Sequence, residues 1–178
     1  MQWILVNIPF LIAVVLMIVL MGIAFKNGAI KTIGGIVSAI VSSILVILIS
    51  FLVREYFYNE KLVMVLTIVL LFLLAVAFML FNTFFKPIKA LSNLGIVKLV
   101  DKPLGIVLAV CETVVIIWGV YCILNVMNGG SIEAWTMRCV QENPIMKYLY
   151  DNNYIYNFMS GIGSKIMGHE IIAKWILS

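Results

Sequence analysis

Three stretches of about 22 to 24 residues carry no charge at all: Ile4–Phe25, Thr32–Val53 and Leu62–Phe85. A fourth, Pro103–Met127, carries only Glu112. Each is long enough to cross a hydrocarbon core of roughly 30 Å at about 1.5 Å per residue. An integral membrane protein with four spanning helices is therefore expected, arranged as two antiparallel hairpins. Composition agrees: 64% of the 178 residues are hydrophobic and 11% charged, a balance that a soluble domain does not sustain. Residues 1–127 form the expected transmembrane domain, with spans at about 4–25, 32–53, 62–85 and 103–127. Residues 128–178 are left as a tail.

The first span is expected to be retained as a helix. Met1-Gln2-Trp3 has no basic n-region, and the apolar run exceeds the usual signal-peptide core of about 7 to 15 residues, although Gly22-Ile23-Ala24 is a weak cleavage lookalike. The net charge of +4 does not point to nucleic acid, because the twelve Lys and Arg lie in short links and the tail, with no basic–aromatic platform. They bear on topology instead. The first link (Lys26, Lys31) and the third (Lys86, Lys89, Lys98, Lys102) outweigh the second link and near tail (Arg54, Lys61, Arg138, Lys147). The positive-inside rule then puts both termini outside.

The tail reads as amphipathic helices. Ser131–Val140 has helical apolar spacing, Asn143-Pro144 is a cap followed by a helix-starting proline, and Ser164–Leu177 forms a last apolar set. Tyr148, Tyr150, Tyr154 and Tyr156 favour the headgroup layer, so the tail is expected to lie on the membrane surface, or else to fold back as a cap over the bundle.

Two runs of small residues suggest close helix packing. In the second span Gly28, Gly35, Ser38 and Ser42 recur at helical spacing, with Gly34, Ala39 and Ser43 beside them. In the fourth, Gly105, Ala109 and Thr113 form a second ridge, behind an Asp101 expected to cap that helix. Glu112 lies seven positions after Gly105 and so faces the same side, away from lipid. It is about nine residues into its span, roughly 13 Å deep, where an ionised carboxylate costs on the order of 2.5 to 3.5 kcal/mol. Two readings stand: a proton or cation site, or a protonated residue hydrogen-bonded to another helix, with Ser38 and Ser42 as candidate partners.

Catalysis is not expected. His169 is the single histidine, without a patterned acid or nucleophile. Cys111 and Cys122 are eleven positions apart on one helix, beyond disulfide reach, and Cys139 stands alone, so no metal-ligand spacing or cofactor motif exists. The expected partners are the lipid bilayer and either a second copy of the chain or another membrane protein.

The turn Lys26-Asn27-Gly28-Ala29-Ile30-Lys31, followed by a small-residue span, resembles the hairpin of the colicin V production protein family. So does Asp101-Lys102-Pro103-Leu104-Gly105-Ile106, which places Asp, a basic residue and Gly as that family does. Lys26, Gly28, Lys31, Asp101, Lys102 and Gly105 carry the likeness. Ala109 and Thr113 stand where that family usually has glycines, and Glu112 where it often has a basic residue. The resemblance implies a non-enzymatic, multi-pass protein of the bacterial cytoplasmic membrane, supporting production and export of a peptide toxin (a bacteriocin) and envelope homeostasis. Two alternatives remain open at this point: a small oligomeric channel or transporter using Glu112, and a bacteriocin immunity protein binding toxin through the tyrosine-rich tail.

Overall fold

A computed structural model describes residues 2–57, 59–84, 98–127 and 131–159. Among them every regular element is helical. The helices are α1 (Gln2–Asn27), α2 (Ala29–Tyr56), α3 (Glu60–Phe84), α4 (Lys98–Val126), α5 (Ser131–Glu142) and α6 (Pro144–Asp151), followed by a helical turn at 154–159. Four of these, α1 to α4, are long and apolar enough to cross a membrane.

α1 and α2 run past both ends of their uncharged cores, because polar residues at a helix end reach water while the backbone bonding continues. The first link therefore shrinks to one residue, Gly28, at φ 82°. Gly28 N–H donates to the Ala24 carbonyl at 2.7 Å, and Thr32 N–H donates to the Gly28 carbonyl at 3.2 Å, so the ladder continues around the bend. A residue with a Cβ resists that left-handed backbone, which is why glycine stands there.

The spatial order differs from the pairing that chain order suggests. α4 lies between α1 and α2, and α3 packs chiefly on α2 rather than on α4. α1 and α4 share two apolar clusters, one with Leu16, Leu20 and Ala24 beside Ala109 and Ile116, the other with Phe10 and Ala13 beside Ile117 and Tyr121. Residue numbers fall along α1 as they rise along α4, so the two run antiparallel. α3 presents Val63, Thr67, Leu70, Leu74 and Ala77, alternating steps of four and three that form one stripe along a helix. The outer faces of α1 and α3 expose Leu, Ile, Val and Phe, as suits helices solvated by lipid.

Asn143 and Pro144 open α6 as their types require. The Asn143 side chain accepts from Ile145 N–H and Met146 N–H, and Pro144 occupies the first turn, where a missing N–H costs least. Up to Met159 the tail packs on the bundle's own end, against α1 and the last turns of α4. The expected last segment, Ser164–Leu177, and His169 lie outside the described residues, as do Lys86, Lys89 and the other residues of 85–97.

Candidate functional site

α2 and α4 form the tightest seam of the bundle, and its geometry repeats. Rising along α4, Gly105 meets Gly28, Glu112 meets Gly35, and Gly119 meets Ser43. Numbers rise together on both helices, so α2 and α4 run parallel, with contacts about two turns apart. At the rungs a residue without a side chain on one helix leaves a notch for a polar side chain from the other. The Asp101 carboxylate fills the space where a Cβ on Gly28 would lie, the Glu112 carboxylate does the same at Gly35, and the Ser43 hydroxyl at Gly119.

The lowest rung corrects the expected role of Asp101. It stands inside the first turn of α4, which begins at Lys98, and it caps α2 instead: Ala29 N–H donates to Asp101 Oδ1 at 2.8 Å, across seventy-two residues of chain. The unbonded N–H groups and positive dipole end of α2 attract a carboxylate, and Gly28 has no side chain to supply one. Gly105 brings α4 close enough for this contact. A Cβ there would lie 3.0 Å from Gly28 C and 3.1 Å from both Ala24 O and Ala29 N. Lys102 extends over the Phe25 ring at 5.3 Å, adding a cation–π contact between α1 and α4. Lys26, Lys31 and Lys102 thus share one end of the bundle with the Gly28 turn.

Glu112 is the middle residue of α4 and is 5% exposed. Its carboxylate lies inside the chain's own α2–α4 seam, facing neither lipid nor an outer surface. Ser38 and Ser42, its candidate partners, direct their protons to backbone carbonyls of α2: Ser38 to Gly34 at 2.7 Å and Ser42 to Ala39 at 3.1 Å. Thr32, Ser50 and Thr113 do likewise on their own helices. Among the described residues, Ser43 Oγ is buried without a hydrogen-bond partner. Gly34, Ala39, Ala109 and Thr113 are all buried in or beside the seam.

A second polar constellation lies at the opposite end; the sequence singled out Asn143 and the tail tyrosines, but not their partners on α1 and α4. Trp118 Nε1 donates to the Leu149 carbonyl at 2.9 Å, Tyr150 OH to Asn125 Oδ1 at 3.0 Å, and Asn143 Nδ2 to Asn7 Oδ1 at 3.2 Å. Asn153 Nδ2 donates to the Trp118 carbonyl at 3.1 Å and approaches Cys122 Sγ at 3.5 Å, while its Oδ1 accepts from Tyr156 N–H. Trp118–Tyr154 and Tyr121–Tyr150 are edge-on ring pairs, each with centroids 5.4 Å apart. Burial pushes the Tyr156 hydroxyl above its usual pKa, with Tyr150 and Cys122 adding to the shift. A run of Asn, Tyr and Trp around 118–157 was the available signal, but only the fold shows which of them meet.

Among the described residues no cluster of His, Cys, Asp and Glu has the makings of a metal centre. Comparison with family models, with curated proteins and with solved structures finds no match to this chain.

Proposed function

We propose that this protein is a non-enzymatic component of the bacterial cytoplasmic membrane that supports production and export of a peptide toxin and the upkeep of the envelope, as its resemblance to the colicin V production family implies. One observation carries the reading. The two separated halves of the motif behind that resemblance, Lys26-x-Gly28 and Asp101–Gly105, meet at one joint, where Asp101 caps α2 and Gly105 lets the backbones touch. Residues so far apart in sequence share a single structural task. The role is one of assembly rather than chemistry: a rigid bundle that offers lipid-facing helices to a second copy or to an export protein. Both termini lie outside in this reading, and the three lysines at the Gly28 end face the cytoplasm. The tail then rests at the outer headgroup layer, where Tyr148 and Tyr154 are exposed.

The channel alternative needs Glu112 on a path between protomers, whereas the residue is 5% exposed within the seam of one chain. The test is toxin activity outside and inside cells of a deletion strain carrying a peptide-toxin system. A fall outside, restored by the wild-type chain but not by Gly105→Ala, is expected. Unchanged export in the deletion strain overturns the reading.

A further inference from the structure

The two ends of the bundle differ in charge. At the Gly28 end Lys26, Lys31 and Lys102 stand beside Asp101, three cations to one carboxylate. At the other end Arg54, Lys61, Arg138 and Lys147 are matched by four acids on α3, α5 and α6. Asp101 does little to offset its neighbours. Its carboxylate is turned inward, into the space at Gly28 and onto Ala29 N–H at 2.8 Å. Among the described residues no carboxylate pairs with Lys26 or Lys102, and both lysines are exposed. The sequence between α3 and α4, 85–97, contains no Asp or Glu. We infer that the α1–α4 edge at this end binds an anionic phospholipid, its phosphate held by Lys26 and Lys102 and an acyl chain lying in the groove between the helices.

Phe25 fixes which edge of the seam this is. Its ring is 53% exposed, and the Lys102 ammonium sits 5.3 Å from the ring centroid, so the cation stands on the lipid side of the α1–α4 contact. The ring engages the charge without accepting its N–H bonds, which leaves donors for phosphate oxygens. From Phe25 the same edge of α1 continues through Met21 and Ile18, and from Lys102 that of α4 continues through Ile106 and Val110. Because the helices run antiparallel, both rows lead inward together. Ile18 and Val110 are exposed, Met21 and Ile106 half-buried, so the rows form an apolar track under two cations. A phospholipid matches that order of charge and hydrocarbon, at the depth where a spanning helix ends. A soluble anion would gain the lysines and leave the track empty. A zwitterionic headgroup would bring its own ammonium against them. This site stands apart from the export role proposed above and holds whether or not that role does.

The full chain in detergent is equilibrated with phosphatidylglycerol or phosphatidylcholine of the same acyl chains, and retained lipid is counted by native mass spectrometry. Phosphatidylglycerol is expected to be retained in preference. The pair Lys26→Gln and Lys102→Gln should weaken its binding about twenty-five-fold, roughly fivefold for each charge near the headgroup. The pair Lys26→Arg and Lys102→Arg should keep it. Lys61→Gln with Lys147→Gln removes the same charge at the opposite end and should leave binding unchanged. A phosphatidylglycerol with a photoreactive headgroup tests the place in the wild-type chain, without depending on any variant, and should label 21–27 and 98–106. The inference is overturned if phosphatidylcholine is retained equally, if both Gln pairs weaken binding alike, if the label falls on the tail, or if glycerol phosphate displaces the lipid at matching concentration.

Discussion

Glycines in this chain differ sharply in what replacing them would cost, and that separates seam from lipid face. Gly22 has open space around its missing Cβ, so Gly22→Ala is expected to be neutral or to stabilise by up to about 1 kcal/mol through helix propensity. Gly105→Ala drives a methyl against three backbone atoms that have little room to move, and overpacking of this kind costs about 1 to 3 kcal/mol. Gly28→Ala adds the strain of φ 82° to a collision with the Asp101 carboxylate, so it should be the worst of the three. Unfolding midpoints in detergent check the order, and a Gly105→Ala protein as stable as Gly22→Ala would refute the notch geometry. At Glu112 the informative change is isosteric. Glu112→Gln fits the Gly35 notch without a charge, so the fold should survive, and so should toxin export under the proposed function; export lost from a folded Glu112→Gln protein would instead reveal a titrating role.

Elements show where sequence was sufficient and where it was not. Four apolar helices were legible because three spans carry no charge and the fourth only Glu112, and Asn143-Pro144 announced α6 because capping is chemistry local to a few residues. The side of α4 that Glu112 occupies follows from its seven-residue spacing from Gly105. The partner of Asp101 was not legible: from its neighbours it reads as the cap of its own helix, and only the parallel packing of α2 and α4 presents Ala29 to it. Gly119 completes a seven-residue series with Gly105 and Glu112 that a search for four-residue steps passes over. Asn143 makes a clear prediction at this scale, since it caps α6 and also holds Asn7 on α1. Asn143→Ala should destabilise by about 1 kcal/mol and raise hydrogen exchange in the first turn of α6, leaving α2 and α3 unchanged. Uniform exchange across the helices would show that α6 does not respond locally.

Across the whole molecule, charge and packing are divided between two ends: a basic joint at Gly28, and an Asn–Tyr–Trp lattice joining α1, α4 and the tail. Cys122 reports on the second. It is buried beneath Asn153, whose amide also holds the Trp118 carbonyl. In a chain whose other two cysteines are replaced by alanine, a membrane-permeant maleimide should leave Cys122 unlabelled; removing residues 143–178 should make it reactive. Equal labelling of both chains would show that the tail does not cover it. The placement of α4 between α1 and α2 has a consequence in time. During synthesis the first three helices enter the bilayer before the fourth exists, so the notch at Gly35 waits against lipid and the start of α2 waits without its Asp101 cap. A ribosome paused ahead of α4 therefore holds an unfinished protein with its seam open, and the last span to arrive is the one that closes it.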